Sequence, residues 1–173
     1  MNPNQSRDGR RFVNFKFQIS NFKSLLRPEL SGKDATLMRL FISAGEPSGD
    51  LHGANLICAL KKQRPDLEIV GFGGDKMEAA GAKLLYPLCK HAVMWVFSVF
   101  VNILTFLRVL KQGKRYFAEQ KPDALVVIDY PGFHFQLAKR AHAAGVPVVW
   151  YVPPQLWAWA GWRVKKMQKW VSH

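Results

Sequence analysis

The sequence predicts an α/β domain built on a doubly wound parallel sheet. Short apolar runs without a helical stripe recur along the chain, glycine-bearing turns follow them, and helix-length segments of about a dozen residues separate them. Strands of that kind are covered on both faces, which is the environment of a parallel sheet with right-handed helical crossovers.

The first strand is read over 36–43. It leads into Ala44-Gly45-Glu46-Pro47-Ser48-Gly49-Asp50, where Gly45 and Gly49 permit sharp turns and Ser48 or Asp50 can cap the next helix. That helix places Gly53, Leu56, Ile57 and Leu60 on one face. Amides at such a helix start attract anions or sugar hydroxyls. A tight turn alone would explain the glycines and a cap. The crowding of Ser43, Glu46, Ser48, Asp50 and His52 into one connection favours a site.

A second strand over 67–72 is followed by Gly73-Gly74 and a short helix over 75–80, closed by Gly81. A third strand covers 124–129, and a helix from about Phe133 to Ala144 ends at Gly145. The fourth strand covers 146–152. In such sheets ligands lie beyond the carboxyl ends of the strands, so Glu46, Asp129 with His134, and Gln155 are expected around one crevice. From its position alone, Asp129 either caps the turn at Pro131-Gly132 or acts chemically. No internal repeat or low-complexity tract is present.

Residues 1–35 lack sustained apolar periodicity and are read as a flexible basic extension, with the domain occupying 36–173. No apolar stretch of the secretory type follows the early charges. Cys58 and Cys89 suit neither a metal cluster nor a disulfide scaffold, so reduced thiols in a cytoplasmic protein are expected, with no metal.

A net charge of +13 asks for an anionic partner. Nucleic acid is disfavoured, because the basic residues form no recognition motif. They flank apolar sequence instead: Lys90 and His91 before it, Arg108, Lys111, Lys114 and Arg115 after it, and Arg163, Lys165, Lys166 and Lys169 near the end of the chain. An anionic membrane face fits that arrangement.

The uncharged run 92–107 is 16 residues long, short of the roughly 20 needed to span a bilayer. Ser98, Asn102, Thr105, Arg108, Gln112, Arg115 and Glu119 form a polar stripe through and beyond it. A core arc of Val99, Phe100, Ile103 and Leu107 is widened by Phe97, Val101 and Leu104. This surplus favours a surface that meets lipid, ahead of a wholly buried helix or a span.

Four ordered motifs carry a resemblance to a known family. Ser-Ala-Gly-Glu-Pro-Ser-Gly-Asp at 43–50, Gly-Phe-Gly-Gly at 71–74, Ile-Asp-Tyr-Pro-Gly-Phe-His at 128–134 and Tyr-Val-Pro-Pro-Gln-Leu-Trp-Ala-Trp at 151–159, with Arg163-Val164-Lys165-Lys166, resemble the amino-terminal half of lipid-A-disaccharide synthases. The resemblance implies the Rossmann-like, acceptor-side domain of an inverting glycosyltransferase of the GT-B type. It further implies synthesis of lipid A disaccharide 1-phosphate and UDP from UDP-2,3-diacylglucosamine and 2,3-diacylglucosamine 1-phosphate (lipid X), without a cofactor, on the cytoplasmic face of the inner membrane.

By the same resemblance Asp129 is the catalytic base, while Glu46, Ser48, Gln155 and Trp157 face the substrate. Trp95, Phe97, Phe100, Val101 and Leu104 would contact acyl chains or membrane. His134 departs from the asparagine common in relatives, and Tyr130-Pro131-Gly132 departs from Ala-Pro-Asp; a lone histidine here reads as structural. The chain stops at His173, before the second domain that holds the donor nucleotide in such enzymes, so little transfer is expected of it alone. A separately encoded carboxy-terminal half is a possible partner. The alternative is a non-catalytic module that binds acceptor lipid or membrane. A basic flavodoxin-like domain binding nucleotide or nucleic acid is a third reading, but neither a G-x-x-x-x-G-K-[ST] loop nor a G-x-G-x-x-G fingerprint is present.

Overall fold

A computed structural model describes residues 38–89, 99–152 and 168–172, with backbone alone at 99–102. All of them fall in a unit spanning Leu37–His173. The expected extension at 1–35 lies outside the described residues.

Five strands form one parallel sheet: β1 (Arg39–Ala44), β2 (Glu68–Phe72), β3 (Lys83–Tyr86), β4 (Ala124–Ile128) and β5 (Val148–Val152). Their spatial order is β3-β2-β1-β4-β5. Helices α1 (Pro47–Gln63), α2 (Asp75–Ala79), α3 (Val99–Gln120) and α4 (Pro131–Ala143) lie between them in sequence. From β1 the chain moves outward through β2 to β3, then returns to β4 on the other side of β1. With right-handed crossovers this puts α1 and α2 on one face of the sheet and α3 and α4 on the other. Contacts of α1 with α2, and of α3 with α4, agree with that division. The doubly wound sheet expected from the sequence is therefore present, with its direction of winding reversing between β1 and β4.

The strand cores follow the residue pattern. β4 is buried at every position and β1 at all but Arg39. Leu40, Phe41 and Ile42 pair with Ala124, Leu125 and Val126 on one side and with Ile69, Val70 and Gly71 on the other. Aromatic rings join the sheet to its α3/α4 face. Phe41 meets Phe72 and Phe117 edge-on, each at 5.0 Å between centroids, and Phe133 of α4 meets Phe106 of α3 at 5.0 Å. Such edge-to-face pairs add about 0.5–1.5 kcal/mol each to the burial of the rings themselves.

Several boundaries differ from expectation. β1 begins at Arg39, where the backbone amide donates to Asp123 and the guanidinium meets Glu68 at 2.6 Å. α4 begins earlier than expected, because Pro131 has the fixed φ suited to a first helical turn. The helical segments before β3 and β5 give way at the left-handed Gly81 (φ 95°) and Gly145 (φ 76°). β3 is an additional strand at the sheet edge. Lys83 is exposed and Leu84, Leu85 and Tyr86 are only partly buried, so β3 lacks the apolar signature of the central strands.

Helix α3 requires a larger correction. Its inward stripe is Phe106, Val109, Leu110, Gly113 and Phe117, whereas Ile103 and Leu107, expected in the core arc, are 54% and 52% exposed. Leu104, expected in the surplus, is 59% exposed. The polar stripe behaves as expected farther along: Gln112 donates to the Leu85 carbonyl, and Arg115 pairs with Glu119 one turn away at 2.7 Å. Among the described residues no helix is long and apolar enough to cross a membrane.

Candidate functional site at the strand ends

The winding reverses between β1 and β4, and in this sheet type the ligand crevice lies at the carboxyl ends of two such strands. Register brings Ser43 beside Val127 and Ala44 beside Ile128. The loop Gly45-Glu46 therefore emerges next to Asp129-Tyr130. The two loops are in close contact: a Cβ on Gly45 would lie 2.2 Å from Tyr130 Cδ1. Glycine is required there by the tyrosine ring.

Glu46 is half-buried and forms the N-cap of α1 with its backbone, while its carboxylate makes no capping bond. Its carbonyl accepts the Asp50 amide at 2.9 Å. Pro47 has no amide hydrogen, so Ser48 and Gly49 supply the free donors of this helix start. Ser48 is exposed; Gly49 lies inside the first helical turn rather than in the preceding loop.

Neither Ser48 nor Asp50 caps α1 as the sequence suggested. Asp50 is 5% exposed and reaches across to α2, where its carboxylate accepts the amides of Gly74 (2.9 Å), Lys76 (3.1 Å) and Met77 (3.1 Å). It caps the neighbouring helix and fastens the first two crossovers together. Cys89 fixes the other side of the loop, its thiol donating to the carbonyls of Ala44 and Glu46 at 3.3 and 3.4 Å. Burial, with Asp50 and Glu46 nearby, pushes that thiol up to about 12, so it remains protonated.

Asp129 is half-buried and directly follows β4. Its amide donates to the Val152 carbonyl at 3.2 Å, tying the loop to β5. Asp129 and Tyr130 have φ values of 52° and 48°. Consecutive left-handed residues other than glycine are uncommon, each costing about 1–3 kcal/mol that the surroundings must offset. Tyr130 is the N-cap of α4 and makes no side-chain capping bond. Burial and the Glu46 carboxylate raise its phenol pKa.

His134 lies beneath this turn, fully buried. Nδ1 is 2.5 Å from the Asp129 carbonyl and Nε2 is 2.9 Å from Ser43 Oγ. A carbonyl only accepts, so Nδ1 carries the proton and Nε2 accepts from the serine hydroxyl. Burial depresses the imidazole to about 4, outweighing the opposite effect of the bond to the Asp129 carbonyl. This agrees with the structural role read for His134. Ser43 is the polar member of a buried strand end, and that misplaced polarity is its signal in the sequence; the left-handed turn had none.

A pH effect follows from that depression. The unfolded chain takes up the histidine proton near the ordinary 6.5, the folded chain only near 4, so acid favours unfolding between those values. The contribution is retained above pH 6.5 and is lost as pH falls, by about 3 kcal/mol in total. Urea unfolding at pH 7 and pH 4.5 is expected to show this loss in the native sequence, with His134→Asn reducing it by about 2–3 kcal/mol.

Of the other expected site residues, Gln155, Trp157, Trp95 and Phe97 lie outside the described residues. Phe100 and Val101 belong to α3, but their side chains lie outside the description. The structure thus brings Glu46, Ser48 at the start of α1, and Asp129 with His134 to the same strand ends, joins Ser43 to them through His134, and adds Tyr130 and Cys89.

Comparison with known proteins follows the same segment. A lipid-A-disaccharide synthase of Methylobacillus flagellatus is 45% identical over 132 residues, covering 76% of this chain and 35% of its own length. A protein of the same name from Coxiella burnetii is 42% identical over 134 residues, covering 78% and 36%. The chain therefore spans about a third of the length of these relatives. A crystal structure of Acinetobacter baumannii MurG aligns with a TM-score of 0.45 and 13% identity over 65% of this chain and 33% of that one. The sequence model for lipid-A-disaccharide synthetase matches residues 40–173, from β1 through both strand-end loops, and the chain belongs to that family.

Proposed function

We propose that this chain supplies the acceptor side of a GT-B glycosyltransferase that makes lipid A disaccharide 1-phosphate. The donor is UDP-2,3-diacylglucosamine and the acceptor 2,3-diacylglucosamine 1-phosphate. The observation that carries this reading, within the family assignment, is the Asp129 carboxylate at the β1/β4 reversal: among the described residues it has neither a hydrogen-bond nor an ion-pair partner. A carboxylate engaged in capping the turn would be occupied by backbone amides.

In the reaction Asp129 accepts the proton of the acceptor's 6-hydroxyl as that oxygen attacks C1 of the donor sugar. The C1–oxygen bond to UDP breaks with inversion, UDP departs with the bonding pair, and a β-1,6 linkage forms. Glu46, Ser48 and the first amides of α1 hold the acceptor. Gln155 and Trp157, outside the described residues, are the further substrate contacts of this proposal. A second Rossmann-like domain, in the same or a separately encoded polypeptide, holds the nucleotide. Transfer assayed in detergent micelles is expected when a relative's carboxy-terminal half is added. Lipid X binding without transfer in any such mixture would instead favour a non-catalytic acceptor-binding module.

The domain works, on this reading, at the cytoplasmic face of the inner membrane. Support comes from α3, where exposed Ile103, Leu104 and Leu107 adjoin exposed Arg108 and Lys111. Trp95, Phe97, Phe100 and Val101 would extend the apolar contact. Replacing Leu104 and Leu107 together by aspartate is expected to weaken binding to vesicles rich in anionic lipid by at least about 10-fold, since each leucine withdrawn from lipid forfeits up to roughly 1.5–3 kcal/mol. Unchanged sedimentation with vesicles would exclude α3 as the contact.

A further inference from the structure

We propose that His134, supported by Ser43, is a positioning residue that holds Asp129 in its working conformation. The inference rests on the reading of Asp129 as the base. It begins with the turn, because Asp129 and Tyr130 occupy left-handed conformations without glycine to make them easy (φ 52° and 48°). Something outside the dipeptide must select that conformation.

Two bonds reach the Asp129 backbone across the turn. Its amide donates to Val152 of β5, and its carbonyl accepts from His134 Nδ1 at 2.5 Å. The histidine cannot easily rotate away from the second bond. Its other nitrogen is held by Ser43 of β1 at 2.9 Å, and the rings of Tyr130, Phe133 and Trp150 lie 6.0, 5.6 and 6.3 Å from it between centroids. The imidazole therefore bridges the carboxyl ends of β1 and β4 beneath the crevice. Through a single carbonyl it sets the peptide plane from which the Asp129 side chain departs.

Burial keeps the ring neutral in ordinary buffers, leaving one tautomer compatible with both partners. A protonated ring would have no lone pair for the Ser43 hydroxyl. Nothing in this arrangement requires His134 to touch substrate.

Two amide variants separate the two bonds. In His134→Asn, Nδ2 can take the place of Nδ1 and donate to Asp129, while contact with Ser43 is lost. In His134→Gln, the longer side chain can reach Ser43, while the atom facing the Asp129 carbonyl is an apolar carbon. Transfer should be measured with the full chain plus a relative's carboxy-terminal half. His134→Asn is expected to stay within about fivefold of the native rate, whereas His134→Gln should lower kcat by about 100-fold with acceptor KM nearly unchanged. The difference should vanish in an Asp129→Ala background. Nitrogen NMR of the imidazole should show hydrogen on Nδ1 alone at neutral pH.

Equal kcat for the two folded variants, with Asp129→Ala inactive, would overturn the positioning role while leaving the base assignment intact. A fully active Asp129→Ala would overturn both. An Nε2-protonated tautomer would overturn the positioning role even if no mixture supported transfer.

Discussion

Replacing Asp129 by alanine is expected to lower glycosyl transfer by about 10²–10⁴-fold, the range usual for a positioned general base, while leaving acceptor affinity nearly unchanged. A primary hydroxyl is a poor nucleophile while it keeps its proton. The group that removes the proton must stand within hydrogen-bonding reach and have a free lone pair. Asp129 satisfies the second condition among the described residues, and β4 and α4 fix the position of its backbone. Asp129→Asn sharpens the comparison, because it preserves shape and removes basicity. If the aspartate only orients the acceptor through a hydrogen bond, the asparagine variant should recover much of the rate. Base catalysis predicts that both variants are comparably impaired, as measured by initial rates at saturating acceptor.

The largest stability loss from a single polar side chain is expected at Asp50. Its carboxylate accepts three backbone amides at the start of α2 and is almost wholly enclosed. Alanine would leave those donors unsatisfied in a space where water has little access, at a cost of about 3–5 kcal/mol. That is a large share of the roughly 5–15 kcal/mol that stabilises a domain of ordinary size. Asp50→Asn should fall between the two. Its carbonyl oxygen can serve Gly74 and Met77, but its amino group would face the Lys76 amide. Urea unfolding at neutral pH measures both losses, and a cost below about 1 kcal/mol for the alanine variant would contradict this role.

Asp50 also shows where sequence reading stops. An acidic residue just after Gly-Glu-Pro-Ser-Gly looks like a cap for its own helix, because capping is ordinarily local. Its actual partners lie 24 to 27 residues onward, and only the packing of α1 beside α2 brings them within reach. The central strands were legible for the opposite reason. β1, β2 and β4 lie between neighbouring strands and are buried over nearly their whole length, and β5, although it forms the other edge, is buried from Val148 to Trp150, so each appears as a short, largely apolar run. β3 is at the edge and only partly covered, and Lys83-Leu84-Leu85-Tyr86 is too short to declare itself.

The same contrast holds at the crevice. Glu46 and Asp129 could be placed together because strand ends in a parallel sheet converge, and Ser43 drew notice as a polar residue ending an apolar strand. The bond from Ser43 to His134 spans 91 residues, and the left-handed Asp129-Tyr130 turn depends on contacts from other elements. In α3 the apolar surplus was visible, but helical periodicity could not say which edge faced the sheet. Phe106, Leu110 and Phe117 meet the sheet side, while Ile103, Leu104 and Leu107 remain outside.

The central claim is that the loops after β1 and β4 hold the acceptor sugar. Amide NMR spectra of the full chain, titrated with 2,3-diacylglucosamine 1-phosphate in detergent micelles against empty micelles, test it most directly. The account predicts saturable shifts at Gly45, Glu46, Ser48 and Tyr130 that empty micelles do not produce. Shifts confined to the exposed face of α3 around residues 103–111, or identical in empty micelles, would contradict it.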